Sequence, residues 1–266
     1  MGRVISFFKS MKAKKRFGQN FLIDNNIIRK ISDNINATEN DLIIEIGPGM
    51  GALTKELKNK NCKTICFEID TDMKQFLSKL EDDKLKVIYN DILLVDLTKE
   101  IENISYNNLY VVGNLPYYIT TPIIKHLIET KLKIKEMVFM VQEEVADRFT
   151  AKPKTKEYGS ITLYLKYFFN TEKLFKVSKN CFNPVPKVES AIIKFTERLD
   201  KPRVDENEYF KLINDSFKMK RKTLKNNLSN YDFDIIKKVL LENGLSESSR
   251  AEEIPEDIYV KIYNSI

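Results

Sequence analysis

The chain has 266 residues, 42% hydrophobic and 31% charged, which is enough for a folded core and argues against global disorder. No apolar run approaches the roughly 20 residues of a membrane-spanning helix; three cysteines make no disulfide framework, and a single histidine leaves a zinc site short of ligands. The net charge of +6 is concentrated: Arg3, Lys9, Lys12, Lys14, Lys15 and Arg16 stand in residues 1–16 without an acid and account for the whole difference between 44 basic and 38 acidic residues. A second acid-free cluster holds Lys218, Lys220, Arg221, Lys222 and Lys225. Two basic patches on a balanced body point to a polyanionic partner, most simply nucleic acid. Residues 1–16 lack the apolar core of a secretory signal, which disfavours a targeting segment.

From about residue 40 to 141 the chain alternates strand and helix patterns. Leu42 to Ile46 is a short apolar run bounded by Asp41 and Gly47, as a buried parallel strand requires. A helix is expected over 52–59, a strand at Thr64 to Phe67, and a helix on the spacing of Met73, Phe76, Leu77 and Leu80. Leu85 to Ile88, Leu109 to Val112 and Met137 to Val141 read as further strands, and Ile119, Ile123 and Leu127 form one helix face between the last two. Such alternation implies a doubly wound α/β sheet, with Lys173 to Val177 and Ser190 to Phe195 closing its edge. After Asp200-Lys201-Pro202 only helical spacing remains, as in Phe210, Ile213 and Phe217. The expected division is a basic arm over 1–16, an α/β domain over 17–200 and a small helical domain over 201–266.

Two constellations carry chemistry. Glu45-Ile46-Gly47-Pro48-Gly49-Met50-Gly51-Ala52 follows the first sheet strand and opens a helix, and its alternate glycines let the backbone turn and approach a ligand. The spacing is not that of a dinucleotide fold, and no lysine follows as in a triphosphate loop. Glu68 ends the next strand, where doubly wound folds hold ribose hydroxyls, and Asp91 ends the third, where a carboxylate can accept from an adenine amine. Gly47, Gly49, Glu68 and Asp91 thus describe an adenosyl ligand, with S-adenosylmethionine the leading candidate.

The fourth strand delivers Asn114-Leu115-Pro116-Tyr117 to the same edge. An adenine exocyclic amine is a poor nucleophile because its lone pair is delocalised into the ring. The Asn114 side-chain oxygen and the Pro116 carbonyl, held by a ring that fixes φ, are expected to grip its hydrogens. Tyr117 offers a face for stacking, and Phe182, entering the rigid loop Phe182-Asn183-Pro184-Val185-Pro186, offers a second.

These motifs resemble those of the ribosomal RNA adenine dimethyltransferases, specifically the small-subunit branch. Lys15-Arg16-Phe17-Gly18-Gln19-Asn20-Phe21-Leu22 is similar to the family's N-terminal motif, Glu45 to Ala52 and Phe67-Glu68-Ile69-Asp70 to its cofactor motifs, and Asn114 to Pro122 to its catalytic motif. Gln142 to Ala146, Tyr158-Gly159-Ser160, Phe182 to Ala191 and Arg221 to Leu228 also match, so the likeness covers about residues 14 to 260. Met50 stands where relatives often carry Leu or Thr. The resemblance implies transfer of four methyl groups from S-adenosylmethionine, leaving S-adenosylhomocysteine, to two adjacent adenosines in a hairpin near the 3′ end of small-subunit rRNA during ribosome biogenesis. It implies cofactor contacts at Asn20, Leu22, Gly47, Glu68, Asp91 and Asn114, a reactive corner of Asn114, Pro116 and Tyr117, and base stacking on Phe182. A cytoplasmic monomer acting on the immature small subunit, without metal or membrane, is the accompanying expectation. Competing readings are a non-catalytic RNA-binding assembly factor, a large-subunit methylase of the antibiotic-resistance type, whose corner resembles Asn-Ile-Pro-Tyr, and a DNA adenine methylase, which Leu115 disfavours.

Overall fold

The computed structural model describes residues 19–266; the basic arm over 1–16 and the first four residues of the Lys15 to Leu22 motif lie outside the described residues. The chain forms two compact units, one of residues up to 146 together with 172–197, the other of 147–171 together with 198–266. The second unit therefore departs from the division expected at 200. It takes 147–171 out of the middle of the expected α/β domain, because the apolar residues there pack with the C-terminal helices.

In chain order the elements are β1 (Phe21–Leu22), α1 (Asn25–Asp33), β2 (Leu42–Ile46), α2 (Ala52–Lys58), β3 (Lys63–Glu68), α3 (Lys74–Leu77), β4 (Leu85–Tyr89), α4 (Leu97–Ile101), β5 (Leu109–Asn114), α5 (Thr120–Glu129) and β6 (Ile134–Gln142). They continue with α6 (Glu143–Phe149), α7 (Ser160–Phe168), β7 (Phe169–Val177), β8 (Phe182–Asn183), β9 (Ser190–Glu197), α8 (Glu206–Ser216), α9 (Leu224–Asn227), α10 (Phe233–Glu242) and α11 (Glu256–Tyr263). Seven strands make one sheet in the order β4-β3-β2-β5-β6-β9-β7. The pairs β4–β3, β3–β2, β2–β5 and β5–β6 are parallel, and β9 runs antiparallel to β6. The fold is thus the mixed, doubly wound α/β arrangement expected, with β9 and β7 at the predicted edge. Every residue of β2 is buried, which is why its sequence is a run rather than an alternation.

Strand order reverses between β2 and β5, the switch point at which such sheets open a crevice beyond their carboxyl ends. Register fixes who meets there: Ile46 stands beside Phe67 on one side and Gly113 on the other, and Glu68 stands beside Tyr89. Beneath, Ile43, Tyr110, Val112, Val138, Met140 and Ile192 pack as one core cluster. A second, two-stranded ladder of β1 and β8 pairs Phe21 with Asn183 and Leu22 with Phe182. Periodicity could not reveal it, since two residues show no period.

The other unit is helical among its described residues beyond 198, apart from an isolated bridge between Thr223 and Arg250. Its core holds Tyr158, Leu163, Tyr167, Tyr209, Leu212, Leu224, Ile236 and Tyr259. Tyr164 and Phe210 lie with ring centroids 4.8 Å apart and Tyr167 and Phe210 at 5.2 Å, so the two chain segments of this unit meet through aromatic packing. Arg198 donates to Glu256 Oε1 at 2.6 Å within the same unit. Among the described residues no helix is long and apolar enough to cross a membrane.

Candidate active site

The carboxyl edge of the sheet opens into a cavity of about 710 Å³ in the first unit. Asn20, Leu22, Gly47, Gly49, Glu68, Asp91, Asn114, Pro116 and Tyr117 all line it. Residues far apart in the chain converge because β2, β3, β4 and β5 end at one level.

The glycine loop is held from below by the acid that the next strand delivers. Glu68 Oε2 accepts from the Gly49 N–H at 2.9 Å and Oε1 from the Asp70 N–H at 2.8 Å, in a site where the residue is 4% exposed. Each oxygen keeps a further acceptor site. Burial raises the Glu68 carboxyl above its ordinary range, and the two amide bonds oppose that rise. Gly49 takes φ +56°, and a Cβ there would lie 3.1 Å from the Phe21 ring. The backbone is therefore bare where it must turn in the left-handed region beside a ring. Asp91 caps the turn that follows β4, its Oδ1 accepting from Leu93 N–H at 3.0 Å. A bare glycine cradle, a carboxyl at the β3 end and a second at the β4 end fit an adenosyl group of the S-adenosylmethionine type.

Glu45 is a site residue that sequence reasoning passed over. It lines the cavity, is 2% exposed, and accepts from Cys66 Sγ at 3.5 Å. Burial pushes its carboxyl up to about 7, and the charge of Glu68 adds to the rise. The signal was present in the acid two residues before Gly47, but a strand residue gives no sign of which face it takes.

At the reactive corner the Asn114 amide is oriented. Its Nδ2 donates to the Asn20 carbonyl at 2.9 Å, which leaves Oδ1 as the acceptor of that side chain. Leu115 N–H donates to the Met140 carbonyl at 3.2 Å, tying the loop to β6. The expected role of the Pro116 carbonyl is corrected: it accepts from Ile119 N–H at 3.1 Å and from Thr120 Oγ1 at 3.2 Å, because it starts the turn into α5. Both its lone pairs are engaged. Among the described residues nothing donates to the Leu115 carbonyl, one peptide earlier, and Leu115 also lines the cavity. The Tyr117 hydroxyl lies 2.6 Å from Ser190 Oγ, and burial raises it above the ordinary phenol range.

Phe182 is also corrected. It is 1% exposed, packs in the core cluster with Ile31, Ile35 and Val177, and is absent from the cavity wall. Pairing of β8 with Leu22 turns the ring inward, so it offers no face to a base in this structure. The residues named for RNA lie in the second unit, on the loop between α8 and α9 and on α9 itself. Lys218, Lys220, Arg221, Lys222 and Lys225 are all exposed; Lys218 pairs with Asp215 at 2.7 Å and Lys225 lies 5.7 Å from the Phe233 ring centroid.

A family model described as ribosomal RNA adenine dimethylase matches residues 10–266. The chain is 45% identical over 254 residues to a ribosomal RNA small subunit methyltransferase A of Streptococcus pneumoniae, covering 91% of this chain and 87% of that protein. Among solved structures it is similar to a dimethyladenosine transferase from Plasmodium falciparum, with a TM-score of 0.76 and 25% identity over 91% of this chain and 95% of that one. A 23S rRNA methyltransferase, ErmE, shares the fold with a TM-score of 0.73 at 23% identity, over 92% of this chain and 99% of that one. With the glycine cradle, the paired strand-end acids and the oriented Asn114 at one sheet edge, this chain belongs to the ribosomal RNA adenine dimethylase family.

Proposed function

We propose that this chain dimethylates the exocyclic amines of two adjacent adenosines in a hairpin near the 3′ end of small-subunit rRNA, using S-adenosylmethionine, during ribosome biogenesis. The observation that carries this reading is the Asn114 amide, turned by the Asn20 carbonyl so that its oxygen is the available acceptor beside the glycine cradle. When bound, the cofactor supplies an electrophilic sulfonium methyl. Asn114 Oδ1 and, with Pro116 engaged, the Leu115 carbonyl accept the two amine hydrogens and draw the nitrogen toward a pyramidal geometry. The nitrogen lone pair is thereby freed from the ring to face the methyl that the bound cofactor would supply, and the proton that the amine loses would depart to solvent. Tyr117, whose hydroxyl burial raises above the ordinary phenol range, is the stacking platform and not a base. The contribution of these groups is mainly orientation, which holds reacting atoms in line.

Glu68 and Asp91 hold the ribose and adenine of the cofactor, and Asn20, Leu22, Gly47 and Gly49 contact it. The cluster at 218–225 grips rRNA phosphates of the immature small subunit; Lys220, Arg221 and Lys222 have no acidic partner among the described residues, which supports that role. The protein acts as a monomer in the cytoplasm. Undermethylated small subunits incubated with the protein and S-adenosylmethionine should yield dimethyladenosine by mass spectrometry of nucleosides. Asn114→Ala should lower that rate by about two to three orders of magnitude, the loss typical of one preorganised polar contact to a transition state. Methylation of large-subunit RNA alone would defeat the branch assignment. An intact rate in Asn114→Ala would defeat the mechanism.

A further inference from the structure

Ser190 is fully buried at the first position of β9, opposite Gln142 of β6. The neighbouring peptide is fixed as well, since Glu143 N–H donates to the Glu189 carbonyl at 3.0 Å. From this rigid place its Oγ lies 2.6 Å from the hydroxyl of Tyr117, 73 positions away in sequence. A tyrosine ring on a loop turns about two side-chain bonds. Tethering its para-oxygen to a group built into the sheet fixes the direction of the ring axis, and because the phenolic O–H favours the plane of the ring, the bond also biases the turn about that axis. Tyr117 is half-buried, and it lines the cavity.

We propose that Ser190 is a positioning residue for methyl transfer: it acts through Tyr117 and holds in place the ring on which the target adenine stacks. The inference rests on the reading of Tyr117 as that platform. Loosening the ring leaves cofactor contacts intact but reduces the fraction of bound adenines with their nitrogen in line. The second transfer is the more demanding, because the nitrogen already carries a methyl that must be turned aside while the remaining hydrogen is held. Loss of the tether therefore affects the second methyl more than the first.

The experiment compares Ser190→Ala, Ser190→Thr, Tyr117→Phe, the double variant Ser190→Ala with Tyr117→Phe, and Tyr117→Ala on undermethylated small subunits. Ser190→Ala and Tyr117→Phe should each lower kcat by about tenfold, within the loss of up to about a hundredfold that misplacement produces. KM for S-adenosylmethionine should stay at the parental value. Both should shift the product toward monomethyladenosine, and the double variant should match either single one, because all three lack the same bond. Ser190→Thr should restore the parental product ratio. Tyr117→Phe leaves the buried serine untouched and so tests the bond even where Ser190→Ala folds poorly. A parental kcat and product ratio in Tyr117→Phe, or losses that add in the double variant, would overturn the role of Ser190. Parental activity in Tyr117→Ala would instead overturn the platform reading itself.

Discussion

Asn114 is turned by a backbone carbonyl 94 positions earlier in the chain, and Glu68 commits both oxygens to backbone amides before any ligand arrives. At the residue scale the site is thus made of groups whose orientation is set by other parts of the chain. Residue type and strand position were enough to nominate Asn114, Glu68 and Asp91. They could not say that the Pro116 carbonyl is consumed by the turn into α5 or that Phe182 faces inward, because both facts are hydrogen-bond and packing outcomes. Glu45 gives a test at this scale. Its carboxyl is raised from 4.5 to about 7 by burial, with the nearby charge of Glu68 adding to the rise. The folded state then holds a proton that the unfolded state has released, so this group's contribution is full below pH 4.5 and is lost as pH rises through about 7. The rise corresponds to about 3 kcal/mol. Glu45→Gln should therefore gain stability relative to the parent as pH increases from about 5 to about 8, seen as diverging melting temperatures. Parallel curves would show that the carboxyl titrates in its ordinary range.

At the element scale the constraint is how closely β2 and β5 approach. Gly113 stands beside Ile46, and a Cβ on it would land against the Ile46 carbonyl oxygen. Backbone cannot yield as a side chain does, so Gly113→Ala must spread the two strands at the end where Gly47 and Asn114 are presented. The expected cost is about 1–3 kcal/mol, as for other overpacked sites, together with weaker S-adenosylmethionine binding by calorimetry. A parental melting temperature with parental affinity would refute this. The long strands were legible because burial on both faces leaves an apolar run, unbroken in Met137 to Val141 and interrupted only by Glu45 in Leu42 to Ile46. The β1–β8 ladder was not, since Phe21 and Leu22 acquire strand geometry only from Phe182 and Asn183, far along the chain.

At the scale of the whole molecule the chain enters its second unit twice. The change of pattern at Asp200 marked one entry. The other, 147–171, carries helical and aromatic residues of a kind that would suit either unit, and only the packing of Tyr158, Leu163 and Tyr167 with Tyr209 and Tyr259 assigns it. Charge belongs to this scale too. Replacing Lys220, Arg221 and Lys222 together by alanine should weaken binding to small-subunit rRNA. It should also lower the log–log salt slope by about 0.7–0.9 for each phosphate that is no longer neutralised. These side chains are exposed, so the melting temperature and cofactor affinity should stay unchanged. An unaltered salt slope would remove the cluster from the RNA interface.

The sequence by itself determined the α/β sheet, the helical C-terminal region, the family and most of the residues that line the cavity at the sheet edge. The family follows from the resemblance of its motifs, and the rest from apolar runs, glycine spacing and acids at strand ends, all of which are local in the chain. Only the tertiary structure decided which acceptors at the Asn114 corner are available, that Glu45 shares the cavity, that Phe182 is a core residue and that the Ser190 and Tyr117 hydroxyls meet. Each of these depends on a partner beyond the reach of local pattern, and a hydrogen bond or a buried face exists only once the fold has brought the two together.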